Sequence, residues 1–186
     1  AVYGYYGNDK SYREAIVGWM DRRHNWDVDP DHIFSTHGLV NGTALCVQSF
    51  TNVGDGIVLF TPVYHAFSRV IDAADRKVIE CELEISDGRY VMNFDKYDAQ
   101  MDSNTKMIIL CSPHNPGGRI WSINELKQVA EFAEKHNLIL ISDEIHHDLT
   151  FSSDHTVMPI AAPEISNRLV MMTAVTKTFN LSLIHI

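Results

Sequence analysis

The chain is 186 residues long, 45% hydrophobic and 21% charged, with a formal net charge of −9. That length suffices for one domain with a buried core, or for most of a larger one, and the composition is ordinary for a globular protein. The acidic balance and the absence of a Lys/Arg run argue against nucleic acid and anionic membranes as partners, and the longest apolar runs, 107–111 and 138–141, are far too short to span a bilayer.

In chain order, Ser11-Tyr12-Arg13-Glu14 has the form of a capping box and predicts a helix with Tyr12, Ala15, Ile16, Trp19 and Met20 on its apolar face. Residues 27–31, with Pro30, read as a turn. Residues 33–36 are a short strand candidate, and 41–50 a helix after a glycine-containing turn. Gly54-Asp55-Gly56 is a turn before a strand at 57–60. A helix at 65–74, a strand at 77–83 and a weak helix at 94–101 follow. Residues 107–111 form a continuous apolar run, the mark of a strand buried on both faces. Ser122-Ile123-Asn124-Glu125 is a second capping box, opening a helix to about His136 with Leu126, Val129, Ala130 and Ala133 inward. Residues 138–142 and 169–173 are further buried strands.

Short apolar strands alternating with amphipathic helices predict an α/β domain, with a mainly parallel central sheet and helices on both faces. Ligands of such sheets lie beyond the carboxyl ends of the strands, so the polar residues that follow each strand are the ones to read. After 33–36 come two glycines and a helix start, where Gly42 and Thr43 could hold a phosphate on free N–H groups or simply form a turn. Tyr64, after 57–60, could stack on a flat ring or sit in the core. Asn115 lies in a loop restrained by two prolines and two glycines, as a ligand donor or as a turn residue. Asp143 ends a buried strand, where a carboxylate is costly unless paired, and His146 could reach the same ligand. The rival reading there is a metal site from Asp143, Glu144, His146 and His147, which alternation along a continuing strand disfavours. Lys177 stands among small and apolar residues just past a strand. A desolvated lysine there has a lowered pKa and a nucleophilic amine, and a solvent-facing lysine does not.

The three cysteines, Cys46, Cys81 and Cys111, are widely spaced and form no C-x-x-C. They read as small buried hydrophobes in a reducing, cytoplasmic compartment. No signal peptide is visible, though Ala1 is not an initiator.

Together these segments resemble the fold-type I pyridoxal 5'-phosphate (PLP) enzymes, most nearly the aminotransferase class I/II family and its cystathionine β-lyase branch. The resemblance rests on Tyr3-Gly4-Tyr5, Thr61-Pro62-Val63-Tyr64-His65, Ser112-Pro113-His114-Asn115-Pro116-Gly117-Gly118, Ser142-Asp143-Glu144-Ile145-His146 and Thr176-Lys177-Thr178-Phe179-Asn180, in that order. It implies that Lys177 bonds covalently to PLP, that Asp143 pairs with the pyridinium nitrogen, and that Asn115 bonds the phenolic oxygen. His146 would lie beside that oxygen, where many aminotransferases carry tyrosine, and so favours the lyase branch. Tyr64 would stack on the ring. Gly42, Thr43 and, more weakly, Thr176 would contact the phosphate, and Tyr5 would reach the phosphate of a neighbouring subunit in a homodimer.

The implied organisation is an N-terminal segment and first helix at 1–30, an incomplete PLP-binding large domain at 31–181, and a non-native tail at 182–186. The family's C-terminal region, with the arginine that grips the substrate carboxylate, has no counterpart here, so this polypeptide alone is expected to be inactive. The full protein is expected to cleave a small amino-acid substrate, cystathionine or another cysteine S-conjugate. The alternatives are an aminotransferase using the same residues, or a non-catalytic regulatory relative.

Overall fold

The computed structural model describes residues 10–151 and 153–181. The chain divides into two compact units, residues 1–35 and 36–186. In the first, helix α1 (Lys10–His24) is already formed at Lys10, so Ser11 lies inside the helix and is not its cap. Of the expected apolar face only Met20 is buried, while Tyr12 and Ala15 are exposed. A 3-10 turn, Pro30–His32, is capped by Asp29, whose carboxylate accepts the Asp31 N–H, and Arg13 donates to the Pro30 carbonyl.

The strand expected at 33–36 does not form, because among the described residues nothing pairs with it. Then follow α2 (Leu39–Phe50), β1 (Gly56–Thr61), α3 (Ala66–Ala73), β2 (Lys77–Glu82), β3 (Glu84–Ser86), β4 (Arg89–Val91), α4 (Phe94–Asp98), β5 (Thr105–Cys111), α5 (Ile123–Lys135), β6 (Ile139–Asp143), α6 (Met158–Ala161), β7 (Leu169–Met172) and α7 (Val175–Thr178). No helix among the described residues is long and apolar enough to cross a membrane.

The five main strands form one parallel sheet in the order β2-β1-β5-β6-β7, confirming the α/β expectation. The chain leaves β1 toward β2, then returns to the other side of β1 to place β5. Right-handed crossovers in opposite directions put their helices on opposite faces. Accordingly α2 and α3 cover Ile57, Leu59, Met107, Ile109 and Ile141, while α4, α5 and α6 cover Val58, Phe60, Ile108, Leu110 and Leu140. The reversal between β1 and β5 opens a crevice at their carboxyl ends, where such sheets bind ligands.

The second capping box is realised in full. Ser122 Oγ accepts the Glu125 N–H, and Glu125 accepts the Ser122 N–H at 2.8 Å. The four residues expected to face inward from α5 are all buried. Sequence reading passed over the β3–β4 hairpin, although Asp87 and Gly88 at its tip are an Asp-Gly pair. Both have positive φ, 50° and 73°, as a tight two-residue hairpin turn requires.

Candidate active site

A cleft of about 360 Å³ lies at the carboxyl ends of the strands, within the roughly 300–1,000 Å³ range of small-molecule sites. Tyr64, Asn115, Asp143, His146, Thr176 and Lys177 all line it. They come from four separate strand ends, those of β1, β5, β6 and β7.

Tyr64 is braced by Phe67, whose ring meets it edge-on at 5.6 Å and 87°. Asn115 is half-buried, and its backbone N–H donates to Cys111 Sγ at 3.3 Å. The bridge between His114 and Arg119 closes the loop behind it. Arg119 reaches the Tyr90 carbonyl at 2.6 Å, pairs with Glu125 and lies over the Trp121 ring, so hairpin, loop and α5 are joined at one guanidinium.

Asp143 is 6% exposed. Burial pushes its carboxyl up to about 6, with the Glu144 charge adding to the rise; the Ile145 N–H on Oδ1 (3.1 Å) and the Lys177 ammonium act the other way. A cation brought to the cleft would lower it again. His146 is held below the ordinary imidazole range, by burial first and then by Lys177. In both shifts the lysine's charge acts on a group at the carboxyl end of β6.

Of the two readings of Lys177, desolvated or solvent-facing, the structure gives the second. It is exposed, on the one-turn helix α7 after β7, a strand that among the described residues pairs with β6 alone. Gly42 and Thr43 require correction, since neither lines the cleft. They are buried one turn inside α2, where a Cβ on Gly42 would lie 2.6 Å from Met172 Cε and 2.9 Å from Thr36 Oγ1. Thr43 Oγ1 donates to the Leu39 carbonyl at 2.9 Å. Gly42 therefore serves close packing.

The helix-end residues that do reach the cleft are His37, Gly38, Leu39 and Val40. Gly38, with φ 85°, is the N-cap; its own N–H goes to the Thr36 carbonyl at 2.9 Å, and no side chain caps the helix. The first-turn N–H groups of Leu39 and Val40 have no acceptor within the helix and suit an anion. The signal that sequence reading missed was Gly38 itself, the residue that starts this helix earlier than expected.

The metal alternative fails on direction. Asp143 and His146 face the cleft, Glu144 is engaged with Ser142, His155 and Met158, and His147 lies 3.6 Å from Asp148. Cys81 and Cys111 are buried and Cys46 half-buried, and burial raises all three thiols, the first two to about 12. Tyr5 lies outside the described residues.

An anion site at a helix start, an aromatic wall, an amide and an acid that gains from a cationic partner make a cradle for a flat, phosphorylated, protonatable ring, with an amine at its rim. The residues present fit PLP.

Residues 1–182 match the family described as aminotransferase class I and II. The chain is 34% identical over 183 residues to cystathionine beta-lyase PatB of Bacillus subtilis, an alignment covering 97% of this chain and 47% of the relative. It is 30% identical over 153 residues to Protein MalY of Escherichia coli, covering 81% and 39%. The crystal structure of cystalysin from Treponema denticola, which contains a pyridoxal 5'-phosphate cofactor, matches with a TM-score of 0.92 and 40% identity, covering 97% of this chain and 46% of that one. The chain thus spans less than half the length of these relatives.

Proposed function

The chain belongs to the aminotransferase class I and II family, and on that premise we propose that its full-length protein is a PLP-dependent carbon–sulfur β-lyase. It would convert cystathionine or a related cysteine S-conjugate, with water, to a thiol, pyruvate and ammonia. The observation that carries this reading is the convergence of Lys177, Asp143, Asn115, His146 and Tyr64 on one cleft beside the start of α2. The names of PatB as a cystathionine beta-lyase and of a Staphylococcus hominis neighbour as a PLP-bound C-S lyase support the choice of reaction.

When bound, PLP supplies an electron sink for charge developing at the substrate α-carbon. The chain's residues do the rest. The N–H groups of Leu39 and Val40 would hold the phosphate, with Thr176 available to it, and Tyr64 would pack on the ring. The Asp143 carboxylate would accept the ring N–H and keep that nitrogen protonated. Asn115 and His146 would donate to the phenolic oxygen, His146 as a neutral imidazole. Lys177 would anchor the cofactor, and its free amine would take the α-proton as general base. Its place at the rim leaves the amine room to move between the two tasks. The thiolate then leaves from the β-carbon. In this reading residues 31–181 form the PLP-binding part of a larger homodimeric enzyme.

The test is to supply purified full-length protein and PLP with L-cystathionine and no keto acid. Continuous release of thiol and pyruvate is expected. A single half-turnover that stalls until a keto acid is added would replace this reading with an aminotransferase. A protein that forms no cofactor absorbance band would leave the regulatory reading.

A further inference from the structure

Asp143 and Glu144 are consecutive, yet they serve opposite sides of the sheet. Asp143 faces the cleft; Glu144 has 0% exposure and touches none of it. Glu144 Oε1 accepts the Ser142 hydroxyl at 2.8 Å and the Met158 N–H at 2.9 Å, and Oε2 lies 2.7 Å from His155 Nε2. A carboxylate cut off from water is tolerable only among such donors.

These contacts bear on the cleft in two ways. Ser142 and Glu144 flank Asp143, so tying them to each other fixes the backbone on which the Asp143 side chain turns. His155 and Met158 lie 11 and 14 residues beyond Glu144, so the same carboxylate closes the connection from β6 to α6, which carries His146. Farther along the turn, Asp148 accepts the Thr178 hydroxyl at 3.2 Å, next to Lys177. One short stretch thus links the mounts of the acid, the imidazole and the amine. Compared with apolar groups of the same volume, a buried carboxylate and its polar partners add little net stability, so the contribution that bears on the cleft is geometry.

We propose that Glu144 and His155 are a positioning pair, which aims Asp143 and His146 into the cleft without touching cofactor or substrate. The inference rests on the PLP reading above.

The test compares Glu144→Gln, His155→Leu and His155→Gln with wild type in the full-length protein. Glu144→Gln keeps an acceptor for Ser142 and Met158 but puts an amide donor toward His155; His155→Gln restores a donor to Glu144. In the cofactor-free proteins, amide exchange over residues 145–151 should speed up about tenfold in Glu144→Gln and His155→Leu, with α5 unchanged. In the holoenzymes, the pH midpoint of the cofactor absorbance should move by about half a unit. The kcat should fall roughly 10- to 100-fold with KM little changed, the scale seen when a partner that orients an active-site ligand is lost. His155→Gln should recover most of both effects.

Faster exchange with an unmoved midpoint and kcat in Glu144→Gln would show a purely structural contact and overturn the proposal, as would unchanged exchange. If Glu144→Gln does not fold, failure of His155→Gln to improve on His155→Leu overturns it. Wild type that takes up no PLP would sink the functional reading and this proposal together, whereas normal uptake with unaltered variants sinks this proposal alone.

Discussion

On one face of the sheet Trp121, Tyr97, Phe60, Leu126 and Phe132 pack out of solvent, and a fully buried carboxylate there, Glu144, has both oxygens engaged. On the other face Val47, Phe67 and Ile71 belong to a smaller core that reaches Cys111 at the end of β5, where the cleft begins. The carboxylate on that side, Asp143, has one backbone N–H and a charge that burial disfavours. The same strands supply both faces, because alternate side chains point opposite ways. On the sealed face Glu144 is taken up by internal bonds, and on the open face Asp143 stays available to a ligand. Substitutions in the apolar packing of the sealed face should therefore cost stability, those on the open face activity, and those at Glu144, which braces the Asp143 backbone from the sealed side, activity as well.

The largest expected effect is on the open face. Lys177→Ala should abolish the cofactor absorbance band and lower turnover by at least the roughly 10²–10⁴-fold that a positioned acid–base group supplies. Because Lys177 is exposed, the melting temperature of the cofactor-free protein should barely change; a large drop would break the comparison. Trp121→Ala tests the other side. It removes a fully buried ring and leaves the Cys111 carbonyl without the 3.0 Å bond from the indole N–H. Denaturant unfolding should show a loss of about 3–5 kcal/mol, while the folded fraction keeps its kcat.

Asp143→Asn should reduce turnover by about 10²-fold, taking roughly 3 kcal/mol for a buried pair that loses one partner at 1.36 kcal/mol per decade. Its effect on stability has the opposite sign. The Asp143 pKa in the folded, cofactor-free protein, about 6, is above the ordinary 3.8. Between those values the folded state binds more protons than the unfolded one, so stability falls as pH rises through that window. Cofactor-free Asp143→Asn should thus be more stable than wild type at pH 7 and no different below about pH 4, where the wild-type carboxyl is protonated in both states. Urea titrations at the two pH values check this, and equal stabilities at pH 7 would contradict the account of Asp143 as an acid waiting for a cation. The smallest effect is Tyr64→Leu, which should weaken PLP binding about tenfold, as expected for an aromatic stacking contact of roughly 0.5–1.5 kcal/mol. Fluorescence titration with PLP measures it.

Some of this was legible in the residues alone. The alternation of apolar runs and amphipathic helices identified the parallel sheet, and the box at Ser122 and Glu125 identified α5, because both are local patterns. Asp143 stood out because a carboxylate ending a buried strand is costly unless paired, Asn115 for its restrained loop, His146 for its reach to the same ligand, and Lys177 for its small and apolar neighbours past a strand. Where reading failed, a competing contact won. Ser11 copies the box at Ser122 but sits inside a helix already under way. Residues 33–36 have a strand's composition and no described strand to pair with. Gly42 and Thr43 sit in a glycine-rich stretch of the expected kind, but Gly38 starts the helix earlier and moves the free N–H groups to Leu39 and Val40.

The order of residues along the chain was sufficient to identify the five strands of the main sheet, most of its helices and the kind of group at each strand end, since those depend mainly on neighbours within a few positions. Only the tertiary structure could decide that Lys177 would be exposed, that Asp143 and Glu144 would part to opposite faces, and that His155 would meet Glu144. Burial and charge pairing depend on which distant segments pack together, and no local pattern encodes that.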